Sequence, residues 1–412
     1  MPVKIGPMRN AGPYYGIPLD KLPAMEWSPE EQRTIERICE KIHKNIAEEE
    51  MTPMQRFNAT YGPKAPGHRD RLLMEVAFHV TYAVRQLDGF SDTIRPLDAY
   101  QLPKMCLIAH LMTVARYKLD IVFLGPTNYA ENMFGAPAAM IADGNPVQDG
   151  PMYVKSMKEL EDLECPDPTK DGLYPQYLWW LRETRKIWDK YGLTDKMPLE
   201  GSFCAGPDNP ATMFGYTEYI VALKKNPDLA KKGVYLMTEW MKRLGKAVYL
   251  DGKVDYAYMC AVVGMFPLKN AEWVAAEYGK VGKFVKAAVK KPMIHAWAFE
   301  PCVQWVPQMI KDGAVGEDSF NGIMFTGDVP SYKIGFDLLE KIDANRLANP
   351  PADILVSGPM SDVEEEIKKR CNDAKSQGQK SKASIGIGAV DYFTTPEHLD
   401  FSVAAAKKHG KF

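Results

Sequence analysis

From about Arg71 onward the chain alternates short apolar runs of strand length with turns and capped helical segments, and this alternation constrains the fold more than any other feature. Such runs are buried on both faces when helices cover them, which is the grammar of a β/α repeat around a parallel sheet. The runs are Leu72–Phe78, Asp120–Leu124, Leu199–Cys204, Asp255–Val263, Pro292–Phe299, Gly322–Phe325, Asp353–Ser357 and Ser384–Ala389. Eight of them is the number of a (β/α)8 TIM-type barrel, so the predicted class is α/β with that architecture. Helix starts are marked by side chains that can accept the orphan N–H groups of a first turn: Ser156-x-x-Glu159, Asn209-Pro210, Asn226-Pro227-Asp228, Ser361-x-x-Glu364 and Thr395-Pro396-Glu397.

Residues 1–50 stand outside the repeat and read as an N-terminal extension, with residues 51–412 as the barrel domain. The extension is irregular and rich in Pro and Gly up to Trp27, and it then carries Ser28-Pro29-Glu30-Glu31, a capping box with proline at the first helical position. Ile35, Ile38, Cys39, Ile42 and Ile46 follow at helical spacing and form one apolar stripe that must pack on something. A second cap, Thr52-Pro53-Met54-Gln55, opens a short helix ending near Tyr61-Gly62-Pro63.

Charge and composition exclude several classes of partner. Lys and Arg total 51 against 53 Asp and Glu, and no basic run is interleaved with aromatic residues, so nucleic acid is not expected. The most apolar stretch, Leu107 to Leu124, is interrupted by His110, Arg116, Lys118 and Asp120, which excludes a membrane span there. Seven scattered cysteines without C-x-x-C spacing argue against a disulfide framework and, with no leader recognisable at Met1–Gly16, point to a cytoplasmic protein. A homo-oligomer is compatible with all of this.

In a barrel of this kind chemistry belongs at the C-terminal ends of the strands, where the βα loops gather. The polar residues predicted there are His79, Asn128, Glu131, Cys204, Asp208, Cys260, His295, Glu300, Asp328 and Asp391. His295 stands out, because the run Pro292–Phe299 is otherwise apolar and a polar group in a buried strand is costly unless paired or used.

Several segments resemble, in the same order, those of the uroporphyrinogen decarboxylase superfamily. They are Met51–Phe57, Leu119-Asp120, Ala130–Gly135, the stretch from Ser156 to Pro168, the long segment from Gly201 to Lys232, the strand with His295 and the closing stretch from Thr394 to Phe412. The resemblance implies a barrel. The superfamily's decarboxylases hold substrate carboxylates with arginines of an early motif and use an aspartate after the second strand. Here Pro7-Met8-Arg9-Asn10-Ala11-Gly12 precedes the Thr52-Pro53 opening instead of following it, and the second run is followed by Gly125-Pro126-Thr127-Asn128, without aspartate. The other kind of member transfers methyl groups between a small substrate and a cobamide on a partner protein, and its coenzyme M branch holds zinc with His-x-Cys and a later cysteine. His295 matches that histidine, but Trp297 and Ala389 stand where the cysteines belong. His295, Cys260 and Glu300 are then the candidates for a rebuilt metal site in which zinc is one option.

The resemblance thus implies a methyltransferase moving a methyl group between a small methylated substrate, with an O- or N-linked methyl favoured, and the cobamide of a partner corrinoid protein. In that reading His295, His79 and Glu131 are catalytic, while Asn128, Cys204, Asp208 and Trp297 bind substrate. Two alternatives from other classes are a decarboxylase or lyase acting on a non-porphyrin acid, and a non-catalytic binder of a tetrapyrrole or corrinoid protein.

Overall fold

Eight short segments pair into one parallel sheet: β1 (Met74–Phe78), β2 (Val122–Leu124), β3 (Leu199–Cys204), β4 (Tyr256–Ala261), β5 (Met293–Trp297), β6 (Gly322–Phe325), β7 (Asn345–Ala348) and β8 (Ala383–Val390). The computed structural model describes residues 5–78, 83, 101–124, 133–140, 146–148, 154, 156–204, 210–261, 271–297, 300–325, 329–390 and 394–412. Sheet order is β1-β8-β7-β6-β5-β4-β3-β2, with every pairing parallel. From β2 to β8 each strand lies beside the next in the chain, and β1 pairs with β8. The sheet curls strongly, because Leu73 at one edge and Ile121 at the other share an apolar cluster with Tyr256 and Ile294 from the middle. The two edges meet at Asp120, whose Oδ2 accepts the Met74 N–H at 2.9 Å. This is the strand order and curl of a TIM-type barrel.

Seven of the eight apolar runs are strands, and one is not. Asp353–Ser357 belongs to a helix, Ala352–Ser357, which follows Pro351 and stops at Gly358. The seventh strand is instead Asn345–Ala348, whose polar start conceals it. Asn345 is buried because its Nδ2 donates to Thr60 O at 2.8 Å and Lys382 O at 3.3 Å, and Arg346 because it meets Glu340 at 2.9 Å and Ser381 Oγ at 2.9 Å.

The covering helices used below are α1 (Pro29–Ala47), α2 (Pro53–Tyr61), α3 (Pro103–Tyr117), α4 (Tyr174–Tyr191), α5 (Pro227–Leu250), α6 (Ala271–Val289), α7 (Met360–Ala374) and α8 (Pro396–His409). Both predicted capping boxes form, at Ser28 with Glu31 and at Thr52 with Gln55. Ser156, Asn226 and Thr395 also cap as expected. Ser361 does not: α7 starts one residue earlier, after Pro359, and the Ser361 hydroxyl donates to Asp362 Oδ1 at 3.0 Å. Asn209 lies outside the described residues. Among the described residues no helix is long and apolar enough to cross a membrane.

The N-terminal segment wraps the outside of the sheet. Met8–Arg9 pairs in parallel with Ala138–Ala139, and Pro23 O accepts the indole N–H of Trp179 on α4 at 3.0 Å. The α1 stripe of Ile35, Ile38, Cys39 and Ile42 is buried in the same core as the α3 side chains Leu107, Leu111 and Val114. Helix α2 has another task. Its Phe57 and Tyr61 pack with Leu73, Ile121, Tyr256 and Ile294, so it closes the curled sheet at the N-terminal ends of the strands.

Candidate active site on the concave face

Alternation along a strand sends successive residues to opposite faces, and the two faces here are chemically different. Leu199, Phe203, Ala257, Met259, Met293, Ile323 and Phe325 belong to the large core between sheet and helices. A Cβ at Gly201 would run into Val248, Val254 and Tyr177, which places that residue on the helix side too. The residues between them face the concave side: Glu75, Glu200, Tyr256, Ile294, Met324 and Ser384, with Tyr61 of α2 beneath.

Two carboxyls therefore stand inside the curl. In TIM-type barrels alternate strands supply one interior layer, and β1 with Glu75 and β3 with Glu200 are such a pair. The phenol of Tyr61 donates to Glu75 Oε1 at 2.6 Å and lies 3.0 Å from Ser384 Oγ. Its ring stacks on Tyr256 with centroids 5.0 Å apart. Burial raises Glu75 to about 7, against the hydroxyls of Ser384, Tyr61 and Tyr256, which favour its charged form; Asp120 adds a smaller upward push. Glu200 is raised well above the usual carboxylate range, by burial first and by the charge of Glu75 second. Among the described residues no hydrogen bond or ion pair reaches the Glu200 carboxyl, which is 4% exposed. The surroundings of the two acids are unequal: the hydroxyl donors gather on Glu75, while burial raises both carboxyls and the Glu75 charge raises Glu200 further.

A second acidic cluster sits at the N-terminal rim and is fully paired. Asp120 accepts from Arg71 at 2.6 and 2.8 Å and from Arg56 at 3.1 Å. Arg56 also holds Asp70 through two bonds of 2.7 and 2.6 Å, and Glu49 meets Arg56 at 2.5 Å and Arg71 at 2.7 Å. Burial alone would raise Asp120, but Arg71 and then Arg56 outweigh it and hold the carboxyl down at about 2.

His295, the leading residue expected from the sequence, is not on the concave face. Its ring is fully buried on the helix side, edge-on to Tyr278 of α6 at 4.4 Å and to Phe320 at 5.2 Å. Burial pushes its pKa well below the ordinary value, so the imidazole is neutral. Of the expected metal set of His295, Cys260 and Glu300, His295 is on the helix side, and the side chains of Cys260 and Glu300 lie outside those described. The register partner of position 260 on β5 is Ala296, whereas His295 pairs with Met259. Among the described residues no group of three or more His, Cys, Asp or Glu side chains could hold a metal.

Cys204 and Cys260 are register partners near the C-terminal ends of β3 and β4. Trp297 ends β5, and Glu300 opens the six-residue 3-10 helix Glu300–Trp305. His79, Asn128, Glu131 and Asp208 lie outside the described residues, as do Asp328 and Asp391. The residues that sequence reasoning missed are Glu75 and Glu200. Their signal was an acid in the middle of a run that should be buried on both faces.

By sequence, the chain matches no protein-family model and no curated protein. In three dimensions it is similar to a methyltransferase from Methanosarcina mazei, with a TM-score of 0.67 and 17% identity, over 87% of this chain and 99% of that one. At that identity the likeness establishes the fold they share.

Proposed function

We propose that the protein is a methyltransferase that moves a methyl group between a small methylated substrate and the cobamide of a partner corrinoid protein, with an O- or N-linked methyl favoured. One observation carries the reading: the curled sheet, its helices and its closing elements match nearly the whole length of a solved methyltransferase. A second favours it over a decarboxylase of acidic substrates. The described strand residues on the concave face include two carboxyls and no arginine, so an anionic substrate would meet repulsion where it needs bidentate cations.

The corrinoid protein is the second substrate here, supplying cobalt as the nucleophile. This chain's part is to exclude water, to hold the methyl donor in line below the mouth, and to deal with charge on the leaving atom. Aromatic walls from Tyr61, Tyr256 and Tyr258 suit a small organic group. His295 lies on the helix side of the sheet, so no step is assigned to it through zinc.

The reading is tested by mixing the protein with cob(I)alamin, free or on a corrinoid protein, and a panel of methyl ethers, methylamines and methyl thioethers. Methylation from at least one donor is expected as a change in the cobalt absorption spectrum. A complete panel without methylation, on free and protein-bound cobalt alike, contradicts it.

A further inference from the structure

At the C-terminal end of the sheet one buried acceptor is left without a donor. Ala348, Ile385 and Ile387 lie in the core between sheet and helices, so alternation turns their neighbours Leu347, Asn349, Gly386 and Gly388 to the concave side. Asn349, the first residue past β7, is 2% exposed. Its Nδ2 donates to Phe325 O at the end of β6, at 3.1 Å, and because a carbonyl can only accept, this bond fixes which end of the amide is oxygen. Among the described residues no donor reaches Asn349 Oδ1. Buried polar atoms in that condition are rare in native proteins.

The neighbouring strand β8 makes room for this oxygen and for a ligand beside it. A Cβ at Gly386 would fall 1.7 Å from Asn349 Oδ1, so only glycine lets the amide lie across the strand. At Gly388 a Cβ would stand 3.1 Å from the same oxygen, and Gly388 is part-exposed, so the space its missing side chain leaves borders Oδ1. Tyr258 on β4 and Met324 on β6 are part-exposed on the same face, whereas Tyr256 and Ser384, nearer the closed end, are buried. The concave face is thus accessible toward the end of the sheet where the orphan acceptor stands.

We propose that Asn349 is a substrate-binding residue whose Oδ1 accepts the N–H of a methylammonium-class methyl donor. The inference rests on the methyltransferase reading and narrows its O- or N-linked substrate to the N-linked kind. An amide oxygen only accepts, so the group it recognises must carry hydrogen. Methyl ethers and methyl thioethers have none on the atom that bears the methyl, whereas mono-, di- and trimethylammonium do, and alkylammonium groups are protonated at neutral pH as lysine is. The face suits a cation, because its described strand residues include Glu75 and Glu200 and no lysine or arginine. In the step, the C–N bond breaks with its electron pair going to nitrogen, which leaves as a neutral amine still holding its N–H. The methyl carbon is taken by the electron pair of Co(I), which becomes methylated Co(III). By holding the nitrogen, Oδ1 sets the direction of the breaking bond.

The test measures binding to the full chain by titration calorimetry, without cobalt, of trimethylammonium and of tetramethylammonium, which keeps the charge and lacks the N–H. Wild type should prefer trimethylammonium by about tenfold or more, the worth of one charge-assisted hydrogen bond. Asn349→Leu should abolish that preference. Asn349→Asp also loses the bond to Phe325 O but keeps an acceptor, so it should retain the preference. Equal loss of preference in both variants, alongside equal loss of thermal stability, means that the side chain is only structural and overturns the proposal. A wild-type protein that binds the two ions alike, or binds neither, overturns it without recourse to any variant. Methylation of cob(I)alamin separates this inference from the reading beneath it. Methylation from ethers or thioethers but from no amine overturns the substrate class and leaves the methyltransferase reading standing. Preferential binding of trimethylammonium with no methylation from any donor overturns that reading and leaves the Asn349 site.

Discussion

Asp120 and Glu200 are both buried acids in one curled sheet, yet their surroundings drive them in opposite directions. At the N-terminal rim Arg71 and Arg56 surround Asp120, whose pKa falls to about 2. On the concave face Glu200 meets no cation among the described residues, and burial with the Glu75 charge raises it. The difference shows how such a fold divides labour. Charges at the closed end are neutralised in pairs and hold helix α2, the strand edges and the α8 residue Lys407, which meets Glu49 at 2.5 Å, in one network. The acids in the interior are left unneutralised, which costs stability and keeps a proton available.

The largest effect is expected where the pairing is complete. Asp120→Ala would strand Arg56 and Arg71 without their shared anion and remove the acceptor of the Met74 N–H, so chemical denaturation should show a loss of about 3–5 kcal/mol. The sign with pH follows from the depressed pKa: the Asp120 contribution is present above its ordinary value near 3.8 and is lost as pH falls through about 2. A loss below about 1 kcal/mol, the range of exposed ion pairs, would erase the contrast between the two clusters.

His295 sharpens the comparison from the other side of the sheet wall. It is buried among aromatic rings and neutral, so His295→Ala should destabilise the fold by roughly 1–3 kcal/mol and leave the methylation rate of the folded protein near wild type. A large fall in turnover without a change in stability would return the residue to the active site.

Much of the fold was legible before any coordinates. The caps at Ser28, Thr52, Asn226 and Thr395 state helix starts in side-chain chemistry, because the acceptor has to be where the orphan N–H groups are. Strands β3 and β6 have the bounds their apolar runs predict. The seventh strand was hidden because Asn345 and Arg346 look like surface residues until their partners, Thr60 O and Glu340, are brought from distant parts of the chain. The site was less legible for a related reason. In Met74-Glu75-Val76 and Leu199-Glu200-Gly201 the acid reads as the solvent side of an alternating strand, and only the curl of the sheet makes that side an interior. His295 misled in the opposite way, since a lone polar residue in an apolar run says that it is buried and not which face it occupies.

The claim that the interior acids are unneutralised is tested most directly by the pH dependence of stability in wild type and in the double variant Glu75→Gln/Glu200→Gln. Both folded carboxyls are raised above the unfolded glutamate value, so between that value and the raised ones the native state binds more protons than the unfolded chain and its stability falls as pH rises. Urea unfolding between about pH 5 and pH 8 should show the double variant gaining on wild type, at up to about 1.4 kcal/mol per pH unit for each proton so held. Parallel curves for the two proteins across that window would mean that the pair is neutralised in the native state, and would contradict the account.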